Sequence, residues 1–142
     1  MLQDRGIGLV LVTNQSGIGR GYFDLGTLKR IHARLVELLA AEEVVLDGIF
    51  FCPHKPDDGC DCRKPAQGMV RRAVERFGFA AAESFVIGDN EGDIELGRRA
   101  GATTFLVRTG YGERVEKSPA CAPDFVVDDV LEAAHNIVRI VV

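Results

Sequence analysis

The feature that most constrains this chain is a group of four potential metal ligands on one short loop. Three thiols and one imidazole fall within eleven residues, at Cys52, His54, Cys60 and Cys62. This is a four-ligand set of the kind that a structural zinc ion takes. A disulfide-stabilised scaffold would spread its cysteines through the chain, and Cys60 and Cys62 are too close to pair easily. The cluster therefore predicts a zinc-binding loop over residues 52–64.

Two cations follow the cluster directly, because Arg63 and Lys64 stand between Cys62 and Pro65. Lysine binds phosphate as a point charge, and arginine can clamp an oxyanion with two parallel hydrogen bonds. The alternative is a pair of solvated surface cations. Their position between a metal site and a proline favours the first interpretation, in which zinc shapes the loop so that Arg63 and Lys64 grip a phosphate.

Composition excludes several classes of function. The chain has 142 residues, of which 46% are hydrophobic and 27% are charged, as in ordinary soluble domains. A formal net charge of -4 and the absence of tryptophan argue against nucleic acid as a partner. The longest apolar runs are strand-sized, and the N-terminus lacks the features of a signal peptide. We expect one cytoplasmic domain, spanning residues 1–142, with no membrane partner.

Apolar segments alternate between strand-like and helix-like patterns. Strands are predicted over residues 7–12, 46–51, 84–88, 103–107 and 125–127, with helices between them. One such helix begins at the N-cap Asp24 and continues to about Glu42, with Leu25, Leu28, Ile31, Leu35 and Leu38 on one apolar face. Alternation of this kind predicts right-handed crossovers and a Rossmann-like α/β fold, a parallel sheet with helices on both faces.

The first six residues are typical of the tail of a helix, with Gly6 at the position that needs a left-handed backbone. An α/β chain normally opens with its own strand before such a tail. We therefore expect that the first, central strand of the sheet is missing from this chain.

Polar residues follow three of the predicted strands, at the sheet edge where parallel α/β folds bind ligands. Thr13 and Asn14 follow the first strand, the zinc loop follows the second, and Asp89 follows the third. Hydroxyl and amide donors beside glycines suit an anion, although a plain turn could use Thr13 and Asn14 to satisfy its own backbone. Because the loops after these three strands meet at the same edge of the sheet, we favour a phosphate site over a plain turn.

Asp89 and Asp93 stand four residues apart, just beyond the third strand. Carboxylates there suit Mg²⁺, which takes one or two protein carboxylates and keeps several waters. Helix capping is the alternative, with Asp89 or Asn90 as the N-cap and Asp93 in the first turn. We expect Asp89 to bind Mg²⁺, with Asp93 as the weaker candidate.

Together these motifs resemble the haloacid dehalogenase superfamily of phosphotransferases. Within it, residues 13–23 and 52–65 are similar to the second motif, zinc loop and third motif of D-glycero-D-manno-heptose 1,7-bisphosphate phosphatases. Asp89 with Asp93 matches the fourth motif, and the segment 108–112 matches the Arg-Thr-Gly-x-Gly of that family. Histidinol-phosphatases share the zinc loop but differ after Thr-Asn-Gln. The resemblance covers nearly the whole chain.

The resemblance implies a mechanism in which one aspartate attacks phosphorus and a second acts as general acid and base. Mg²⁺ offsets the charge, and Lys64 and Thr13 steady the phosphoryl group. The family's first motif, Asp-x-Asp-Gly-Thr, is absent here, and Asp4 is no substitute because it lacks a second Asp two residues later. Asn90 also stands where the family often has Lys.

We therefore expect a Mg²⁺-dependent phosphatase of a sugar bisphosphate whose chain, as given, is inactive because a gene start or cloning boundary removed the nucleophile. One alternative is a non-catalytic, zinc-stabilised phosphate-binding remnant, or a half-domain completed by a partner chain rather than a monomer. A histidinol-phosphate phosphatase and a zinc-loop interaction module are further alternatives.

Overall fold

A computed structural model describes all 142 residues, Met1–Val142. Its strands are β1 (Val10–Asn14), β2 (Gly48–Cys52), β3 (Phe85–Gly88), β4 (Thr103–Val107) and β5 (Phe125–Val127). Its α-helices are α1 (Ser16–Gly19), α2 (Leu25–Ala41), α3 (Gly68–Phe77), α4 (Glu91–Ala100), α5 (Gly112–Val115) and α6 (Val130–Val141). All five strands predicted from sequence are present. None of the helices has the length and hydropathy needed to cross a bilayer.

Local chemistry explains where the helices begin and end. The Asp24 side chain accepts a hydrogen bond from the Thr27 amide at 2.7 Å, so α2 starts with the predicted N-cap. Gly78 and Gly101 end α3 and α4 in the left-handed conformation, at φ of 70° and 75°. Gly6 adopts a φ of 75° after a short 3₁₀ turn, which confirms the conformation predicted for it.

All strand pairs are parallel, and they form two sheets. One sheet contains β1 and β2, and the other has the order β3-β4-β5. The predicted α/β class with parallel pairing is confirmed. The two sheets share no strand pair, so the single sheet predicted from sequence is divided between β1 and β3.

Helices cover both faces of the three-stranded sheet. Phe105 and Val107 of β4 pack with Ile137 of α6, in a buried cluster that also takes in β3 and β5. Leu106, between them in sequence, packs instead with Ile94 of α4. Because successive strand residues point to opposite faces, α6 lies on one face and α4 on the other. This packing makes β4 the most buried strand of the protein.

The two-stranded sheet supports less packing. Of the apolar face predicted for α2, Leu28 is buried, whereas Leu25, Ile31 and Leu38 are 42%, 54% and 51% exposed. The helix also contacts β2 through His32, whose ring centroid lies 6.1 Å from that of Phe51. Only two strands, β1 and β2, are available in this sheet, and most of the predicted apolar face of α2 stays in solvent.

Surface area reflects the same division. The accessible surface is 8564 Å², whereas a compact monomer of this mass exposes about 7,200 Å². The excess of roughly 1,400 Å² agrees with two separate sheets, in which β1 and β3 each have one edge without a neighbouring strand. β1 and β3 are half-buried along their whole length, although strands in the middle of an α/β sheet are normally buried.

The unpaired edges can be assigned residue by residue. Leu9 accepts from the Asp47 amide and Gln15 donates to the Cys52 carbonyl, so alternate residues of β1 face β2. Val10 and Val12, between these residues, direct their backbone groups to the opposite edge. By the same alternation, the Ser84 carbonyl bonds to β4, and Phe85 and Ile87 face away from it.

We predict that amide hydrogen exchange divides each of these strands into two sets. Amides directed to the open edges, those of Val10, Val12, Phe85 and Ile87, should exchange at least tenfold faster than the amides of their immediate strand neighbours, because only the neighbours are paired. Residue-resolved exchange measured by NMR checks this expectation. Equal protection along β1 and β3 would show that both edges are paired in solution.

Candidate functional site

The four predicted ligands meet at the carboxyl end of β2. Their ligand atoms all lie within 4.8 Å of one another. Cys52 Sγ is 2.9 Å from Cys62 Sγ and 3.6 Å from Cys60 Sγ, and His54 Nδ1 is 3.2 Å from Cys62 Sγ. Cys52 and Cys62 are buried. Strand β2 places Cys52, and the loop that follows folds back to bring the other three ligands to it.

The thiols of this cluster differ in acidity. Burial raises the pKa of Cys52 to about 12, helped by the neighbouring Cys62 thiol. Burial also opposes ionisation of Cys60, but the amides of Arg63 and Cys62 donate to its sulfur and lower its pKa to about 6. The thiolate is the form that binds metal ions. The loop backbone therefore supports one thiolate before any cation is added.

Lys64 connects three separate parts of the fold. Its ammonium donates to the Val12 carbonyl of β1 at 3.1 Å and to Asp93 Oδ1 of α4 at 2.5 Å. The Lys64 amide donates to Asn14 Oδ1 at 2.9 Å, and the Asn14 amide group reaches the Lys64 carbonyl at 3.4 Å. Only 14% of the lysine side chain and 12% of the aspartate are exposed. Lys64 thus has a fixed position, which a solvated surface cation would not have.

Asp93 has two structural roles in addition. Its Oδ2 accepts from the Asn90 amide at 3.2 Å, completing a capping box at the start of α4. Gly88 lies so close that a Cβ at this position would overlap the Asp93 carboxylate. The capping arrangement considered from sequence is therefore present, and both Asp93 oxygens have protein donors.

Asp89 lies directly after β3 and is half-buried. Its Oδ2 accepts from the Tyr111 amide at 3.0 Å. Gly110, at a φ of 62°, allows this approach because a Cβ there would collide with the same carboxylate. Sequence reasoning assigned no supporting role to Gly110 or Tyr111, since only the fold brings the 108–112 loop beside Asp89. The second Asp89 oxygen has no hydrogen-bond donor within the chain.

Thr13 and Arg63 retain unused donors. The Thr13 hydroxyl accepts from Gln15 Nε2 at 3.1 Å, which leaves its own hydrogen free to donate. Arg63 is half-buried, yet its guanidinium forms none of the ion pairs of this chain. A guanidinium carries five N–H donors, so Arg63 can clamp an incoming anion without breaking an existing contact.

A cavity of about 290 Å³ adjoins the 52–64 loop and α4. Its lining residues are Pro56, Gly59, Cys60, Arg63, Lys64, Pro65, Ala66 and Arg99. Three of them are cations and none is acidic. Sequence reasoning identified Arg63 and Lys64 but missed Arg99, because its helix position carries no motif and shows its orientation only in three dimensions.

Comparison with known proteins gives the relatives of this chain. Residues 61–133 match the family described as HAD-hydrolase-like. The chain is 41% identical over 138 residues to the D-glycero-beta-D-manno-heptose-1,7-bisphosphate 7-phosphatase of Pseudomonas aeruginosa. This alignment covers 97% of this chain and 78% of the relative. Identity to the Pseudomonas putida enzyme of the same name is 39% over 137 residues, at 96% and 78% coverage.

A solved structure shows the same fold. The D,D-heptose 1,7-bisphosphate phosphatase from B. bronchiseptica, complexed with magnesium and phosphate, matches with a TM-score of 0.88 and 38% identity. The match covers 97% of this chain and 78% of that one. These relatives share the motifs, the fold and about two-fifths of the aligned residues with this chain, and this similarity establishes its family. The chain belongs to the HAD-like hydrolases, among relatives that are heptose 1,7-bisphosphate phosphatases.

Proposed function

We propose that this chain carries the phosphate-binding and metal-binding side of a phosphatase site for a sugar bisphosphate of the heptose 1,7-bisphosphate type. The observation that carries the proposal is the fixed ammonium of Lys64, held by Val12 and Asp93 beside a cavity with no acidic lining residue. Relatives at 41% and 39% identity are phosphatases of that bisphosphate.

Each predicted phosphate-binding residue has a distinct part in this proposal. Lys64 and Thr13 contact the phosphoryl group to be transferred, since both hold donors at the carboxyl end of β1. Arg63 binds the part of the substrate that enters the cavity. Asn14 acts through its two hydrogen bonds to the Lys64 backbone, which fix the direction of the lysine side chain. Such preorganised donors stabilise the charge that develops during phosphoryl transfer.

Asp89 is the residue proposed to bind Mg²⁺. One of its oxygens accepts from Tyr111 and the other is free, which leaves a single ligand oxygen at the strand end. This fits Mg²⁺, which is often held by one or two carboxylates together with substrate phosphates. When bound, the ion supplies charge neutralisation to the phosphoryl oxygens. Asp93 is the weaker ligand candidate, because Lys64 and Asn90 already occupy its two oxygens.

We further propose that the 52–64 loop binds structural zinc within a single domain. In a tetrahedral site with bonds of the usual length, ligand atoms lie about 3.5–3.8 Å apart. Four of the six separations run from 2.9 to 3.6 Å and all six are within 4.8 Å, so small side-chain shifts would bring the cluster to this geometry. Four protein ligands leave no open position for water, which makes the role structural and not catalytic.

Turnover requires a nucleophile that this sequence does not contain. No Asp-x-Asp pair occurs anywhere in the 142 residues. Removing a covalent nucleophile removes the reaction path itself. We therefore propose that the chain, as given, binds the phosphate ester without hydrolysing it.

Calorimetry with fructose 1,6-bisphosphate as the probe tests this function. We predict binding that Mg²⁺ strengthens about tenfold, because the ion links Asp89 to phosphate. Asp89→Asn should abolish the Mg²⁺ dependence, while Asp57→Asn, at an exposed position of the zinc loop, should preserve it. Wild-type affinity that is independent of Mg²⁺ would contradict the metal assignment, and Mg²⁺-dependent release of phosphate would contradict the absence of turnover.

A separate experiment tests whether the Cys/His cluster binds zinc. We predict that Cys60→Ser lowers zinc content well below one ion per chain and lowers the free energy of unfolding by at least about 2 kcal/mol, because metal binding contributes to folding. Elemental analysis and urea unfolding measure these two quantities. Cys121→Ser is the matched control, since that thiol lies outside the cluster. A Cys60 variant with unchanged zinc and stability would show that the cluster is not a zinc site.

A second candidate is a half-domain that a partner strand completes. Two features favour it: the open edges of β1 and β3, and an excess surface of roughly 1,400 Å² on this one chain, which exceeds the ~800 Å² that each partner buries in a standard interface. Co-purification of a partner that slows exchange of the open-edge amides would support it. A monomer whose open-edge amides stay unprotected, measured by light scattering and exchange together, would exclude it.

A further inference from the structure

Arg99 stands apart from the other cations of α4 because it lines the cavity beside the zinc loop. Arg98 and Arg99 both pair with Glu95, at 3.3 and 3.0 Å, but only Arg99 reaches the cavity. Arg99 uses its Nε for this contact. Its two terminal amino groups therefore keep their donors.

The cavity offers anion donors on two sides. Lys64 is committed to the strand end, between β1 and the start of α4. Arg63 and Arg99, which come from the zinc loop and from α4, line the same cavity and carry free guanidinium donors. A volume of about 290 Å³ lies at the lower end for small-molecule pockets, so it suits a small phosphorylated sugar.

We propose that Arg99, together with Arg63, binds the second phosphate of a sugar bisphosphate, the one that is not transferred. This inference rests on the proposed function and adds the residue that selects a bisphosphate over a monophosphate. Lys64 binds the phosphate at the strand end through its ammonium, and the two guanidiniums bind the remaining phosphate in the cavity. Planar guanidiniums suit this role because they bind phosphate with two parallel hydrogen bonds.

Arg99 can be replaced without disturbing the fold. The Arg99 side chain is 47% exposed and its partner Glu95 is 38% exposed. Exposed ion pairs of this kind contribute little to stability. Arg98, with an exposure of 54% and the same partner, gives a control variant on the next residue of the helix.

Calorimetry on the zinc-loaded full chain with Mg²⁺, using fructose 1,6-bisphosphate and fructose 6-phosphate as probes, tests the inference. We expect Arg99→Gln to weaken bisphosphate binding about tenfold and to change monophosphate binding less than twofold. Arg98→Gln should leave both affinities unchanged, which separates a direct contact from a general loss of charge.

Three results overturn the inference while leaving the proposed function intact: no effect of Arg99→Gln on the bisphosphate, an equal effect on both probes, or an equal effect of Arg98→Gln. Failure of the proposed function has a different signature. In that case the wild-type chain binds neither sugar phosphate, and the inference fails with it.

Discussion

The ion pair between Lys64 Nζ and Asp93 Oδ1 is the contact on which the rest of the site depends. Through it, the 52–64 loop, the end of β1 and the start of α4 meet at one ammonium group. Both side chains are largely buried, so neither charge can lose its partner without a large cost. The Lys64 ammonium also connects the two sheets. Val12 belongs to β1 of the two-stranded sheet, and Asp93 lies in α4, the helix that follows β3 of the three-stranded sheet.

The 52–64 loop and the two sheets jointly fix the position of the Lys64 ammonium. Cys52 ends β2, which fixes one end of the loop, and Cys62 stands two residues before Lys64. Asn14 then holds the Lys64 backbone from β1, the neighbour of β2. The Cys/His cluster and the two cations proposed to bind phosphate thus share one short segment, so the position of the cluster also sets the position of Arg63 and Lys64.

Sequence patterns predicted the parts of this arrangement that depend on local chemistry. Ligand spacing indicated the Cys/His cluster, apolar runs indicated the five strands, and Asp24 indicated the start of α2. Long-range contacts were beyond such patterns: the support of Asp89 by Tyr111 and the orientation of Arg99 depend on how distant segments pack. The apolar spacing of α2 indicated a helix but not its burial, because burial depends on the width of the sheet that it meets.

Removal of the ion pair tests the central claim most directly. Phosphate affinity and unfolding free energy would be compared for the wild-type chain, Lys64→Met and the double variant Lys64→Met/Asp93→Asn. The single variant should lose stability because it leaves the buried Asp93 carboxylate unpaired, and it should lose binding because it removes the ammonium. The double variant should regain stability, since Asn still caps α4, but should not regain binding. A double variant that binds fructose 1,6-bisphosphate with wild-type affinity would contradict the claim that Lys64 is the phosphate-binding group.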